Sequence, residues 1–164
     1  MSNPTILSAF AGLAALAIAA VSPADAATTV KVSLWDKGAD MAMPTDLLYA
    51  TPGIDLSKAT MGIVVQPNTA RAGVISFHVT NGSKDTVHET IVMYREDPTQ
   101  PLPYLTDENR VDEDRAGDKG EVSELEPGAS GTLTIPLEPG TYLLICNVPG
   151  HFAAGMWTVF TVTP

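Results

Sequence analysis

The chain is poor in thiols, imidazoles and cations. It holds one cysteine, three histidines, and nine Lys plus Arg against nineteen Asp plus Glu, for a formal net charge of -10. A single cysteine excludes an internal disulfide framework. The shortage of positive charge disfavours nucleic acid and anionic lipid as partners, because an acidic surface repels phosphates. It suits a basic protein partner, or simply solubility. Long helical periodicity and internal repeats are also missing, which speaks against helix bundles and solenoids. What is present is a hydrophobic fraction of 45% in 164 residues, enough for one domain with a sizeable core.

The N-terminal run "ILSAFAGLAALAIAAV", Ile6 to Val21, is apolar and alanine-rich. It falls short of the roughly 20 residues of a membrane span. "SPADAA" follows, and Ala24-Asp25-Ala26 fits a small-x-small processing site. The expectation is a signal peptide over residues 1–26, export to the periplasm, and no membrane insertion after cleavage. Met1 to Thr5 departs from the pattern in having no Lys or Arg, and an uncleaved anchor is the alternative. Residues 27–164 then form one domain. In an oxidising compartment a free thiol invites dimerisation or oxidation. Cys146 is therefore either buried or occupied, and a metal is the obvious occupant.

Beyond Ala27 the pattern is that of strands. "TTVKVSLWDKG" places Val30, Val32 and Leu34 on one face. "AGVISFHVTNGS" places Ile75, Phe77 and Val79 on one face and Ser76, His78 and Thr80 on the other, and its Asn-Gly predicts a hairpin to "HETIVMYRE". "GTLTIPL", "GTYLLICNV" and "MWTVFTVTP" complete about seven short strands. The fold class expected is all-β, an antiparallel Greek-key sandwich or barrel. Residues 40–60 read as a mixed connection with a helical turn. Residues 95–126 hold eleven Asp/Glu against four Lys/Arg and read as an acidic loop insertion between two strands. Such a run is a solvated loop, or a docking surface for a basic partner.

The densest chemistry lies in "CNVPGHFAAGM", where Cys146, His151 and Met156 stand five residues apart. A thiolate, an imidazole and a thioether are soft or borderline donors, which disfavours magnesium and calcium. Zinc rarely takes a thioether. Copper takes all three, and two histidines, one cysteine and a weak axial methionine form the blue-copper arrangement. The second histidine is His78 or His88. His88 starts a strand beside a loop, whereas His78 shares a mid-strand face with Ser76 and Thr80. His88 is the expected ligand, and His78 an exposed strand residue.

Those stretches together resemble the cupredoxin family, over about Met61 to Thr163. The C-x4-H-x4-M loop is similar to that of rusticyanin and sulfocyanin, and "PGTY" and "PGHFAAGM" to small bacterial periplasmic cupredoxin-like copper proteins. The resemblance implies one copper ion held by His88, Cys146 and His151, with Met156 axial. It implies a monomeric one-electron carrier rather than an enzyme, working with a redox partner protein. Three histidines in all leave too few for a second copper centre. Many cupredoxins carry Asn after the first histidine and Ser or Thr after the cysteine. Glu89 and Asn147 stand there instead, and the expectation is an exchanged pair bonded across the site. Pro149, Phe152, Ala153 and Ala154 suggest a flat patch around the His151 imidazole edge, for electron exchange with a partner. The rival function is a copper chaperone or resistance protein that holds and delivers the ion. Met41 and Met43 are then a soft pair for Cu(I).

Overall fold

In β1 (Thr28–Asp36) alternate side chains turn inward, and Val30, Val32 and Leu34 are buried. β2 (Met61–Gln66), β4 (Gly73–Asn81) and β9 (Ser130–Leu137) join it in a four-stranded sheet of order β2-β1-β4-β9. Opposite lies a five-stranded sheet of order β3-β11-β10-β5-β8. Its strands are β3 (Thr69–Arg71), β5 (His88–Arg95), β8 (Asp118–Leu125), β10 (Gly140–Ile145) and β11 (Trp157–Thr163). The computed structural model describes residues 26–164. The expected leader therefore falls, but for Ala26, outside the described residues. None of the described helices is long and apolar enough to cross a membrane.

The sandwich is as expected, but its sheets are mixed: β1 runs parallel to β4, and β11 parallel to β3. The core between the sheets includes Val32, Phe77, Val79, Val92, Leu144 and Phe160. Phe77 and Phe160 meet edge to face at 5.2 Å across the two layers, the geometry that the aromatic quadrupole prefers. Each such buried ring contributes about 1.5–3 kcal/mol of transfer free energy.

The Asn-Gly hairpin is not formed. β4 pairs with β1 and β9, whereas β5 lies in the opposite sheet between β10 and β8. Residues 82–87 cross between the sheets. Buried Asn81 pins that crossing: its Nδ2 donates to the carbonyls of Thr86 and Leu125 at 2.9 and 2.8 Å, and its Oδ1 accepts from the Ser83 N–H. A tight turn would have left β5 on a half-exposed sheet, yet six consecutive residues from His88 to Met93 are buried. Such double burial belongs to an interior strand covered on both faces.

The second cover is the acidic stretch, which is more than a loop. It folds as β6 (Tyr104–Leu105), β7 (Arg110–Val111), a helical turn α1 (Glu113–Ala116), and the edge strand β8. Leu102, Val111 and Ala116 from it pack on Ile91, Met93, Leu143, Ile145 and Phe152, the outer side of the five-stranded sheet. Most of its carboxylates face water while its few apolar residues form a third layer. Residues 40–60 carry only a single 3-10 turn, Leu56–Lys58, capped by the Asp55 side chain.

Candidate metal centre

One end of the sandwich gathers the donors. β10 delivers Cys146 as its next residue, β5 begins with His88 in the adjacent strand, and the loop before β11 returns His151 and Met156. Backbone bonds set that loop. The Cys146 N–H donates to the Met156 carbonyl at 3.1 Å, and the Met156 N–H to the His151 carbonyl at 3.0 Å. Gly155 sits at φ +93°, and a Cβ there would lie 3.1 Å from the Ala59 Cβ. Only glycine takes that conformation without penalty and lets residues 47–59 lie against the loop. Leu47 seals the approach: its N–H donates to the Ala153 carbonyl, and its carbonyl accepts from Trp157 Nε1 at 2.7 Å.

The His88 Nδ1, Cys146 Sγ and His151 Nδ1 atoms converge, with one candidate donor atom from each residue lying within 4.8 Å of the others. The two Nδ1 atoms are 3.2 Å apart, and Sγ is 3.3 Å from the His151 Nδ1. Donors that share one first-row ion at about 2.0–2.3 Å stand about 3–4 Å from one another, so the spacing fits. All three residues are buried. Met156 is fully buried on the same loop and packs in one cluster with Cys146 and Ala154. His78 is not brought to the site. It is exposed on the four-stranded sheet, 3.4 Å from the Ser76 hydroxyl.

The electrostatics suit a cation. Burial pushes the Cys146 thiol up to about 12, so a thiolate needs a positive partner. Burial, then the charge of His88, brings His151 down to about 4. Burial also lowers His88, against the opposing pull of Asp36. Both imidazoles are thus neutral near pH 7, with lone pairs free. The Cys146 Sγ also accepts the Glu89 N–H at 3.4 Å. A soft anionic sulfur and two neutral imidazoles fit copper better than any hard ion.

Asp36 was not legible as part of the site. Its Oδ2 lies 2.7 Å from His88 Nε2, with the two side chains 2% and 0% exposed. The Nε2–H donates to the carboxylate, which fixes the tautomer and leaves Nδ1 bare for a metal. A signal existed: Asp36 continues the inward alternation of Val32 and Leu34 at the end of β1.

Glu89 and Asn147 do meet across the site, but through the backbone: the Asn147 N–H donates to Glu89 Oε1 at 3.0 Å. The Asn147 amide turns instead to Val111 and Glu113. Burial pushes the Glu89 carboxyl up to about 7, with the Asn147 bond opposing and Glu121, Glu113 and Glu124 adding repulsion. The expected flat patch around His151 is not built from Phe152, Ala153 and Ala154, which are all buried. Phe152 is a core residue of the third layer. Pro149, Met43 and Asn109 are exposed there, the Met43 Cε and Asn109 Nδ2 lying 2.8 and 3.1 Å from where a Cβ on Gly150 would stand.

Comparison with known proteins matches a family model described as the sulfocyanin (SoxE) domain to residues 72–164. Auracyanin-B of Chloroflexus aurantiacus is 54% identical over 41 residues, 24% of this chain and 17% of that protein, so the match spans under a fifth of its length. The fold is that of auracyanin from Roseiflexus castenholzii, with TM-score 0.53 and 21% identity, covering 85% of this chain and 99% of that one. Rusticyanin from Thiobacillus ferrooxidans aligns with TM-score 0.51 and 19% identity over 84% and 79%.

Proposed function

Since the chain belongs to the sulfocyanin (SoxE) domain family, a branch of the blue-copper cupredoxins, we propose that it is an exported one-electron carrier. Copper is its cofactor; His88, Cys146 and His151 would hold it, with Met156, buried on the same loop, as the fourth candidate ligand. When bound, the ion accepts and releases one electron. The observation that carries this reading is the buried convergence of His88, Cys146 and His151, one donor atom of each lying within 4.8 Å of the others.

The chain's own residues do the rest. Asp36 holds the His88 proton on Nε2. The Glu89 N–H and the His151 Nδ1 flank the Cys146 sulfur, which would hold the ion as the thiolate, its proton passing to solvent. Leu47, Ala153 and Phe152, all buried around the loop, exclude water. Small structural change between oxidation states follows from donors set on a sandwich end and a backbone-tied loop. A periplasmic location follows from the leader read in residues 1–26, and an acidic chain of net charge -10 suits a cationic redox partner. Carriage is favoured over delivery because the donors are sealed. Met41 packs on the core while Met43 is exposed, so they form no shared buried soft site.

The test is the visible and paramagnetic-resonance spectrum of the purified protein after cupric ion is added. An intense colour, reversible one-electron cycling, and loss of both in Cys146→Ser are expected. A colourless protein that binds cupric ion equally well as Cys146→Ser would overturn the assignment.

A further inference from the structure

The third layer grips the ligand loop at three points, each next to a donor. At Asn147, beside Cys146, the Val111 N–H donates to Oδ1 at 2.6 Å. The Asn147 Nδ2 donates to the Val111 carbonyl at 3.0 Å and to Glu113 Oε1 at 2.6 Å. At Gly150, on one side of His151, the backbone N–H donates to the Asn109 carbonyl at 2.7 Å. At Phe152, on the other side, the ring lies 6.1 Å from the Tyr104 ring and packs with Leu102, Val111 and Ala116.

Asn147 is fully buried. A buried amide is costly unless its acceptor and both donor hydrogens find partners. Here every partner of the side chain comes from residues 111 and 113. The bond to Glu113 is charge-assisted, and such bonds are roughly twice as strong as neutral ones. A serine or threonine hydroxyl at 147 could not bond the Val111 N–H, the Val111 carbonyl and Glu113 at once. A merely solvated acidic run would make none of these contacts.

The geometry points to residues 104–116 as a splint that holds the copper-binding loop in place, with Asn147 as its positioning residue. The role rests on the electron-carrier reading: a carrier gains when its donors stay still as the charge changes. The splint acts through Cys146 and His151, whose chain neighbours Asn147, Gly150 and Phe152 it holds.

Asn147→Ala should lower copper affinity by about 10- to 100-fold, the usual range for a residue that orients a metal ligand. It should also speed amide hydrogen exchange at residues 147–152 in the metal-free protein, and shift the visible absorption of the copper form. Glu113→Ala trims the clamp from its half-exposed side without opening the core. It should produce the same changes to a smaller extent, and it decides the matter if Asn147→Ala does not fold. Asn147→Asp should behave worse than Asn147→Ala, since two carboxylates then meet. Adding Glu113→Gln should recover part of the loss, a rescue that general destabilisation would not give. Affinity within about twofold of the parent, together with unchanged exchange at 147–152, would overturn the splint. The exchange measurement needs no metal. A parent protein without colour therefore removes the carrier reading and leaves the splint still decided by exchange.

Discussion

The Nε2 of His88 and the Oδ2 of Asp36 stand 2.7 Å apart and are both closed to water. The pair joins the first strand of one sheet to the first donor of the other. A buried carboxylate on a ligand imidazole makes that ligand a better donor and favours the more positive ion. Asp36→Asn, which can still accept the Nε2–H through its amide oxygen, should raise the reduction potential with little change in colour. Asp36→Ala loses the bond as well and should weaken copper binding by about 10–100-fold. An unaltered potential in Asp36→Asn would reduce the carboxylate to a packing role.

Acid should act on the metal-free protein through opposing groups. Glu89 is raised by burial from 4.5 to about 7, so the folded chain keeps a proton that the unfolded chain releases. The stability it lends is whole below 4.5 and fades as pH rises through 7. His151, brought from 6.5 to about 4, works the other way: the unfolded chain binds the extra proton, and stability grows as pH climbs from 4 to 6.5. Glu89→Gln leaves the histidines unopposed. Its melting temperature should climb more steeply between pH 4 and 6.5 than the parent's, and parallel curves would show that Glu89 does not titrate in this way.

Gly155 carries φ +93° against Ala59 and Leu47. Gly155→Ala should cost about 1–2 kcal/mol for the left-handed backbone, and more for the contact with the Ala59 Cβ. Denaturant unfolding of the metal-free protein measures it. Loss of colour should follow if the loop shifts.

His78 supplies a control. It is exposed on the outer face of β4, away from the donors. His78→Ala should leave copper stoichiometry and spectrum as they were and change stability by no more than about 0.5 kcal/mol. A lost equivalent of copper would reopen the choice between the two histidines.

Strands whose sides differ were legible from alternation, as Val30, Val32 and Leu34 or Ile75, Phe77 and Val79 illustrate. β5 was misplaced because a strand covered on both faces loses that alternation, and Asn81-Gly82 offered a turn that a sheet-to-sheet crossing used instead. The donors in the Cys146–Met156 loop were legible because chemistry and spacing coincide within one segment. Asp36 was not, since its partner lies 52 positions away and only the packing of one sheet on the other brings them together. Phe152 was misread for a similar reason: nothing local says that Leu102, Val111 and Ala116 come to cover it. Acidic composition concealed that layer, because a few well-placed apolar side chains suffice to dock a stretch that otherwise faces water.

The bond between Asp36 and His88 rivets the two sheets together at one rim. That rim cannot fray by itself, because prising it apart means parting the layers. Breathing should therefore begin at the far end, near Thr28 and Arg71, and the ion's seat should be among the last places to come undone.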